Sequence, residues 1–228
     1  MATYYWIGGA GTWSNASNTN WSSTSGGTGG AGIPTSIDDV IFDSASSAAA
    51  YVVTVAATAT ANTVTISAPA SGSITLSGGT ITYFGNWTSP ATNMVCSSAI
   101  VYSGNVTNSI STNNVAFTGA FTSNSSAGLV LASPFKTSSS ITVLQGSFNT
   151  NTNAYYVETS SFVSSTTTYN RSITLNGSTL LLTGTSPVSM VSTNLTLNAN
   201  TSNVYCSATS ATFTAGNLTF NNVYFTGI

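Results

Sequence analysis

The chain has 228 residues and a formal charge of −2, and only 3% of its residues are charged, against about 25% in an ordinary soluble domain. Two basic residues, Lys136 and Arg171, cannot neutralise a phosphate backbone, so nucleic-acid binding is excluded. With no histidine and only two cysteines, Cys96 and Cys206, neither a Ser-His triad nor a Cys/His metal motif can be assembled.

Polarity comes instead from about 100 Ser, Thr and Asn residues, set among 41% apolar residues rich in Val, Ile, Tyr and Phe. Disorder needs high charge and few aromatics, so this composition predicts an ordered all-β chain. The cysteines, 110 positions apart, read as small buried apolar residues. No run of 18 apolar residues exists, which excludes membrane insertion by a helix. The opening "MATYYWIGGAGTW" has neither a basic stretch nor a long apolar core, so synthesis in the cytoplasm without a secretion signal is expected.

Residues 1–48 form a segment of their own, rich in Gly and holding Trp6, Trp13 and Trp21, followed by Asp38, Asp39 and Asp43 in "SIDDVIFD". A stacked β structure must cover its open end, or its edges and core will pair with another molecule. The three tryptophans are expected to provide that cover, with stacking on sugar rings as the alternative. The acids suggest a calcium site, but on a strand Asp39 and Asp43 would lie about 13 Å apart, too far to chelate one ion. They are therefore assigned to structural hydrogen bonding, and no metal or other cofactor is expected.

From residue 49 to 228 the chain reads as short β-branched or aromatic runs ending in Gly, Asn or Ser, such as "GSITLSG", "SAIVYSG", "SITVLQG" and "STLLLTG". No window carries a sustained helical period. An Asn-bulky-Thr unit recurs, with its bulky residue at Val64, Trp87, Val106, Phe121, Phe148, Ile173, Leu195 and Leu218, an average gap of 22 residues. That period predicts a β-solenoid of about eight coils, in which stacking hides the apolar face that one coil cannot hide alone. Gly85, Gly104 and Gly216 are expected at corners that need left-handed backbone, and Asn86, Asn105, Asn194 and Asn217 in a stacked amide ladder. A β-sandwich also suits strands at this spacing, but gives no reason for the recurring corner.

Tyr5, Trp6, Gly8, Gly9, Gly11, Trp13, Trp21, Pro34 and the run Asp38-Asp39-Val40-Ile41-Phe42-Asp43 resemble the opening segment that precedes β-helical repeats in phage virion proteins and bacterial surface adhesins. The resemblance covers about 45 residues in detail and the repeats only in style. It implies a right-handed parallel β-helix and a role in virion architecture or adhesion, not a chemistry. Bacterial surface relatives carry a signal peptide, so the lack of one favours the phage side.

Paired carboxylates for glycoside cleavage should stand about 5 to 9.5 Å apart. Glu158 is expected to lie about five coils from Asp43, and to meet Lys136 or Arg171 in a surface contact instead. The chain is thus expected to be non-catalytic: a structural and host-attachment protein of a bacteriophage virion, as a tail fibre, tailspike stalk or capsid-projecting fibre. Its partners would be other virion proteins, further copies of itself in a homo-oligomer such as a trimer, and a host surface glycan or protein. Its place would be the virion, assembled in the host cytoplasm. The alternative is a secreted adhesin or extracellular filament subunit at the cell surface. The C-terminal "GNLTFNNVYFTGI" has no polar cap, and more chain or another subunit is expected to cover it.

Overall fold

The computed structural model describes residues 1–69 and 71–227; Ala70 and Ile228, both within the 49–228 span, lie outside the described residues. Among the described residues there is no helix. The chain winds into coils, and each coil lays one segment on each of three parallel sheets, here called A, B and C.

Sheet A stacks Asp39–Phe42, Val64–Ile66, Trp87–Thr88, Thr107–Ser111, residues 128–131 and 146–149, Arg171–Thr174 and Leu195–Asn198. Sheet B stacks residues 51–55 and 74–78, Met94–Cys96, Ala116–Phe117, Phe135–Thr137, Val157–Thr159, Thr179–Leu182, Asn203–Cys206 and Asn222–Phe225. Sheet C stacks residues 58–61 and 80–83, Ala99–Tyr102, residues 121–123 and 140–143, Ser161–Ser164, Val188–Met190 and Phe213–Thr214. Eight coils result, numbered from the one that begins at Asp39. At about 4.8 Å per strand they make a column roughly 35 to 40 Å long.

Alternation within each short segment sends every second side chain inward, and register stacks like on like. On sheet C, Ala59, Ile81, Ile100, Phe121, Ile141, Phe162 and Val188 form one file, each at most 2% exposed. Burying a large apolar side chain is worth about 1.5–3 kcal/mol, so these files hold the column together. Cys96 and Cys206 share an inward file of sheet B, both free and buried. Burial pushes the Cys96 thiol up to about 12 and that of Cys206 upward as well.

Corners need left-handed backbone, and Asn supplies eight of the ten non-glycine residues with positive φ. Its short polar side chain tolerates that region better than any other side chain bearing a Cβ. At the end of five sheet B segments a hydroxyl residue reinforces the ladder. Ser97, Thr118, Thr183, Ser207 and Thr226 each send their backbone N–H (2.8–3.0 Å) and their hydroxyl (3.4–3.5 Å) to one carbonyl of the coil beneath.

The stacking begins inside residues 1–48. Thr3–Trp6 pairs in parallel with Asp39–Phe42, and Gly11–Trp13 with residues 53–55, giving a partial coil beneath the first. Trp21–Ser22 then folds back antiparallel onto Tyr5 and Trp6, ending the parallel stack at that edge. Asp39–Phe42 belongs to sheet A, so the solenoid starts at residue 39 and not after 48.

Four repeat markers need correction: Val106 and Phe121 lie off sheet A, Leu195 aligns with Arg171 while Ile173 aligns with Leu197, and Leu218 lies in no strand. Val64, Trp87, Phe148 and Ile173 lie on sheet A, but the residues aligned after Trp87 are Ile110 and Leu131. Val106 stands on an inserted corner loop, 58% exposed, and Phe121 is buried in sheet C. Successive steps on sheet A run from 19 to 25 residues, and the mean near 22 is untouched by the misplaced interior markers because it depends only on the first and last of them.

Buried phenols set the pH range of this fold. Burial holds Tyr83 well above the usual tyrosine value and Tyr51 at about 12. In the unfolded chain both ionise near pH 10. Between there and the folded values the native state binds more protons than the unfolded one, so stability falls as pH rises. Acid has less to act on, since there are four carboxylates and no histidine. Burial tends to raise the Asp38 carboxyl, but hydrogen bonds from Thr35 and Ala2 outweigh this and hold it below its usual value, so its contribution is lost only in strong acid. Thermal melts followed by circular dichroism should be flat from about pH 5 to 9, drop steeply above about pH 10, and drop only slightly near pH 3.

Candidate functional site

Three corners of successive coils and the N-terminal segment enclose a groove of about 670 Å³. Its floor is the passage from sheet C to sheet A in the first three coils: Asn62 and Thr63, then Phe84, Gly85 and Asn86, then Ser103, Asn105 and Val106. Ser36, Ile37 and Met1 form the facing wall. A second hollow of about 560 Å³, lined by Asn15, Ile33, Pro34 and Thr60, shares Ser36 and Phe84 with the first.

Two aspartates fix the wall and the floor. Asp38 Oδ1 accepts the Ala2 N–H at 2.7 Å, and its Oδ2 accepts the Thr35 hydroxyl at 2.6 Å, tying down both ends of the wall. Asp39 Oδ1 accepts from Asn62 Nδ2 at 2.8 Å and from the Thr63 N–H at 3.1 Å. Asn62 therefore presents its carbonyl oxygen to the groove side.

The insertion that displaced Val106 builds the far rim. The Tyr102 hydroxyl donates to the Val106 carbonyl at 2.6 Å, while Asn108 Nδ2 donates to the Tyr102 oxygen and the Phe84 carbonyl, both at 3.0 Å. Neither Gly85 nor Gly104 takes the left-handed backbone expected of it; Gly104 is required because a Cβ would sit 2.3 Å from the Tyr102 hydroxyl and 2.4 Å from the Phe84 carbonyl. Asn86 Oδ1 accepts the Ser109 N–H and hydroxyl, at 2.8 and 3.1 Å, which leaves its Nδ2 as a donor. Asn105 is exposed and keeps its whole amide available among the described residues.

The groove thus offers amide donors, carbonyl acceptors, a half-buried Phe84 ring and the exposed apolar surfaces of Ile37 and Val106, with no charged side chain in its lining. Such a surface suits a neutral polyhydroxylated ligand: hydroxyls pair with amides, and a sugar's apolar face packs on an aromatic ring.

The other residues expected to matter lie apart from it. Trp6, Trp13 and Trp21 are fully buried and pack edge to face at the N-terminal end, with Phe42 against all three. They present no face to a sugar. Asp43 closes the next turn, accepting the Ala45 N–H at 3.0 Å. Asn194, Gly216 and Asn217 are left-handed corner residues near the C-terminal end, and Asn194 Nδ2 donates to the Thr167 carbonyl at 2.8 Å.

The expected ladder of Asn86, Asn105, Asn194 and Asn217 does not form: these four make no hydrogen bond to one another among the described residues. Register separates them, since Asn86 aligns with Thr63 and Ser109 while Asn105 sits on the insertion. A short amide ladder exists elsewhere, at the corner after sheet A. Asn176 Nδ2 donates to Asn149 Oδ1 at 2.9 Å, and Asn200 Nδ2 to Asn176 Oδ1 at 3.4 Å.

Glu158 lies on sheet B of the sixth coil, five coils from Asp43, a separation on the order of 24 Å along the axis. Its neighbour in register is Lys136, and the Tyr156 hydroxyl donates to it at 3.3 Å. Arg171 is not its partner: that side chain is buried in the column.

Compared with family models, curated proteins and solved structures, the chain matches none.

Proposed function

We propose that this chain is a non-catalytic structural and host-attachment protein of a bacteriophage virion, a β-helical tail fibre, tailspike stalk or capsid-projecting fibre whose groove takes a neutral glycan of the host surface. One observation carries the reading: a groove of amides and apolar surface around the Phe84 ring, with no charged side chain, is set on a rigid stacked column. Stiffness comes from the continuous ladders of three sheets, which hold the groove at a fixed place along the column. The groove has few groups for specific affinity, so attachment relies on many copies, each contributing a weak contact.

The test is binding of purified host capsule or lipopolysaccharide glycan to the whole chain, with particles imaged by electron microscopy after labelling with an antibody to it. Asn105→Ala and Phe84→Ala should each weaken glycan binding by up to about tenfold, the worth of one lost hydrogen bond or stacking contact. Asn105 is exposed, so its variant should melt with the parent. Unlabelled particles, or glycan binding untouched by both variants, would overturn the reading.

A further inference from the structure

Sheet B carries an unusual outward file. In its centre, consecutive in register, stand Lys136 and Glu158, the chain's only lysine and only glutamate. On the N-terminal side of this pair come Ala116, Val95 and Thr75; on the C-terminal side come Leu181, Tyr205 and Tyr224. Val95 is 45% and Tyr224 42% exposed, so large apolar groups face solvent on both sides of the charges. Tyr205 and Tyr224 already stack on each other, 4.7 Å apart and 15° from parallel, giving a flat aromatic end.

We infer that this face is the contact surface of a two-fold dimer of this chain, with the two columns running antiparallel and the axis passing between the fifth and sixth coils. Charge decides the direction. A two-fold along the column would set Lys136 against its own copy and Glu158 against its own copy. A two-fold along the strands places each Lys136 opposite the other copy's Glu158, and makes both pairs at once.

The same operation matches size. Counting outward from the axis, Ala116 meets Leu181, Val95 meets Tyr205 and Thr75 meets Tyr224, so a small residue opposes a large one at every level. Identical stacking direction would instead set Tyr on Tyr and Ala on Ala, leaving bumps and gaps. Within one chain Lys136 Nζ rests 5.5 Å above the Tyr156 ring and Glu158 accepts from the Tyr156 hydroxyl, so the two charges are held beside each other and face outward. A file about 38 Å long and ~13 Å wide covers roughly 500 Å² per subunit, or ~1,000 Å² in all, near the lower bound for a specific interface. The dimer is therefore a weak one that dissociates on dilution. It stands independently of what the groove binds.

Sedimentation of the full chain over a range of concentrations tests this. The parent should show a monomer–dimer equilibrium. Lys136→Glu and Glu158→Lys should each weaken it on the order of tenfold or more, because a two-fold turns both pairs repulsive. The double reversal should restore it. Ala116→Arg should give a monomer with an unchanged melting temperature, which separates loss of contact from loss of fold. A parent that stays monomeric over its whole soluble range, a trimer, or a double reversal that fails to recover the dimer would overturn the inference.

Discussion

Trp21→Ala is expected to cost about 3–5 kcal/mol, the range for truncating a large aromatic in a packed core. Trp21 is fully buried among Trp6 at 5.0 Å, Trp13 at 5.5 Å, Phe42 at 5.8 Å and Tyr4 at 6.5 Å between ring centroids. It also starts the antiparallel segment that closes the sheet A edge, so the cavity opens where the stack ends. A solenoid couples each coil mainly to its neighbours. Hydrogen exchange should therefore lose protection first in residues 1–66 and last in the seventh and eighth coils. Uncovered edge and core should also promote association through that end, seen as scattering that rises with concentration. Trp21→Phe is the control: it keeps most of the packing and removes an indole N–H that has no partner among the described residues. Its cost should be well below that of the alanine variant. Equal losses for the two, or unchanged exchange in the first coil, would mean the tryptophans do not cap the column.

The column itself was legible because its cause is periodic. Alternate burial within short runs, and the return of the same corner about every 22 residues, both follow from stacking identical coils. What escaped was where the period is broken. "Gly-Asn-Val-Thr" at 104–107 is written like "Gly-Asn-Trp-Thr" at 85–88, yet Tyr102 and Asn108 tie it into a loop and pass the inward position to Ile110. That loop is the far rim of the groove, so the site is hidden in the sequence for the same reason the marker fails. The amide ladder lies at the corner after sheet A and not at the corner before it, because there Asn149, Asn176 and Asn200 are close enough in register to bond. The groove floor also depends on a contact between distant segments, Asp39 with Asn62, that no local pattern encodes.

Arg171 shows how a misread residue becomes a strong test. A lone arginine in "TTTYNRSITL" resembles a surface charge, but it has the same parity as Ile173 and Leu175 and is only 3% exposed. Its guanidinium donates to the Ser164 carbonyl at 2.6 Å and hydroxyl at 2.9 Å, to the Val191 carbonyl at 3.2 Å, and to the Thr193 and Tyr169 carbonyls. These partners come from the sheet C-to-sheet A corners of two successive coils, so one side chain fastens two consecutive turns and the inserted loop between Ser164 and Arg171. Burial lowers its pKa, but a guanidinium remains charged, compensated by carbonyl dipoles alone. Replacing it with Met leaves the Tyr169, Val191 and Thr193 carbonyls without this donor, each costing about 1–3 kcal/mol, while the Ser164 carbonyl keeps the Val191 N–H; removing a buried charge offsets part of the loss. The expected net loss is about 2–4 kcal/mol by urea unfolding. Arg171→Lys has three donors in place of five and should fall between Met and the parent, because a point charge cannot span both corners. If Met matched or exceeded the parent in stability, the desolvation of the guanidinium would outweigh its bonds, and this arginine would be a burden on the column instead of its fastening.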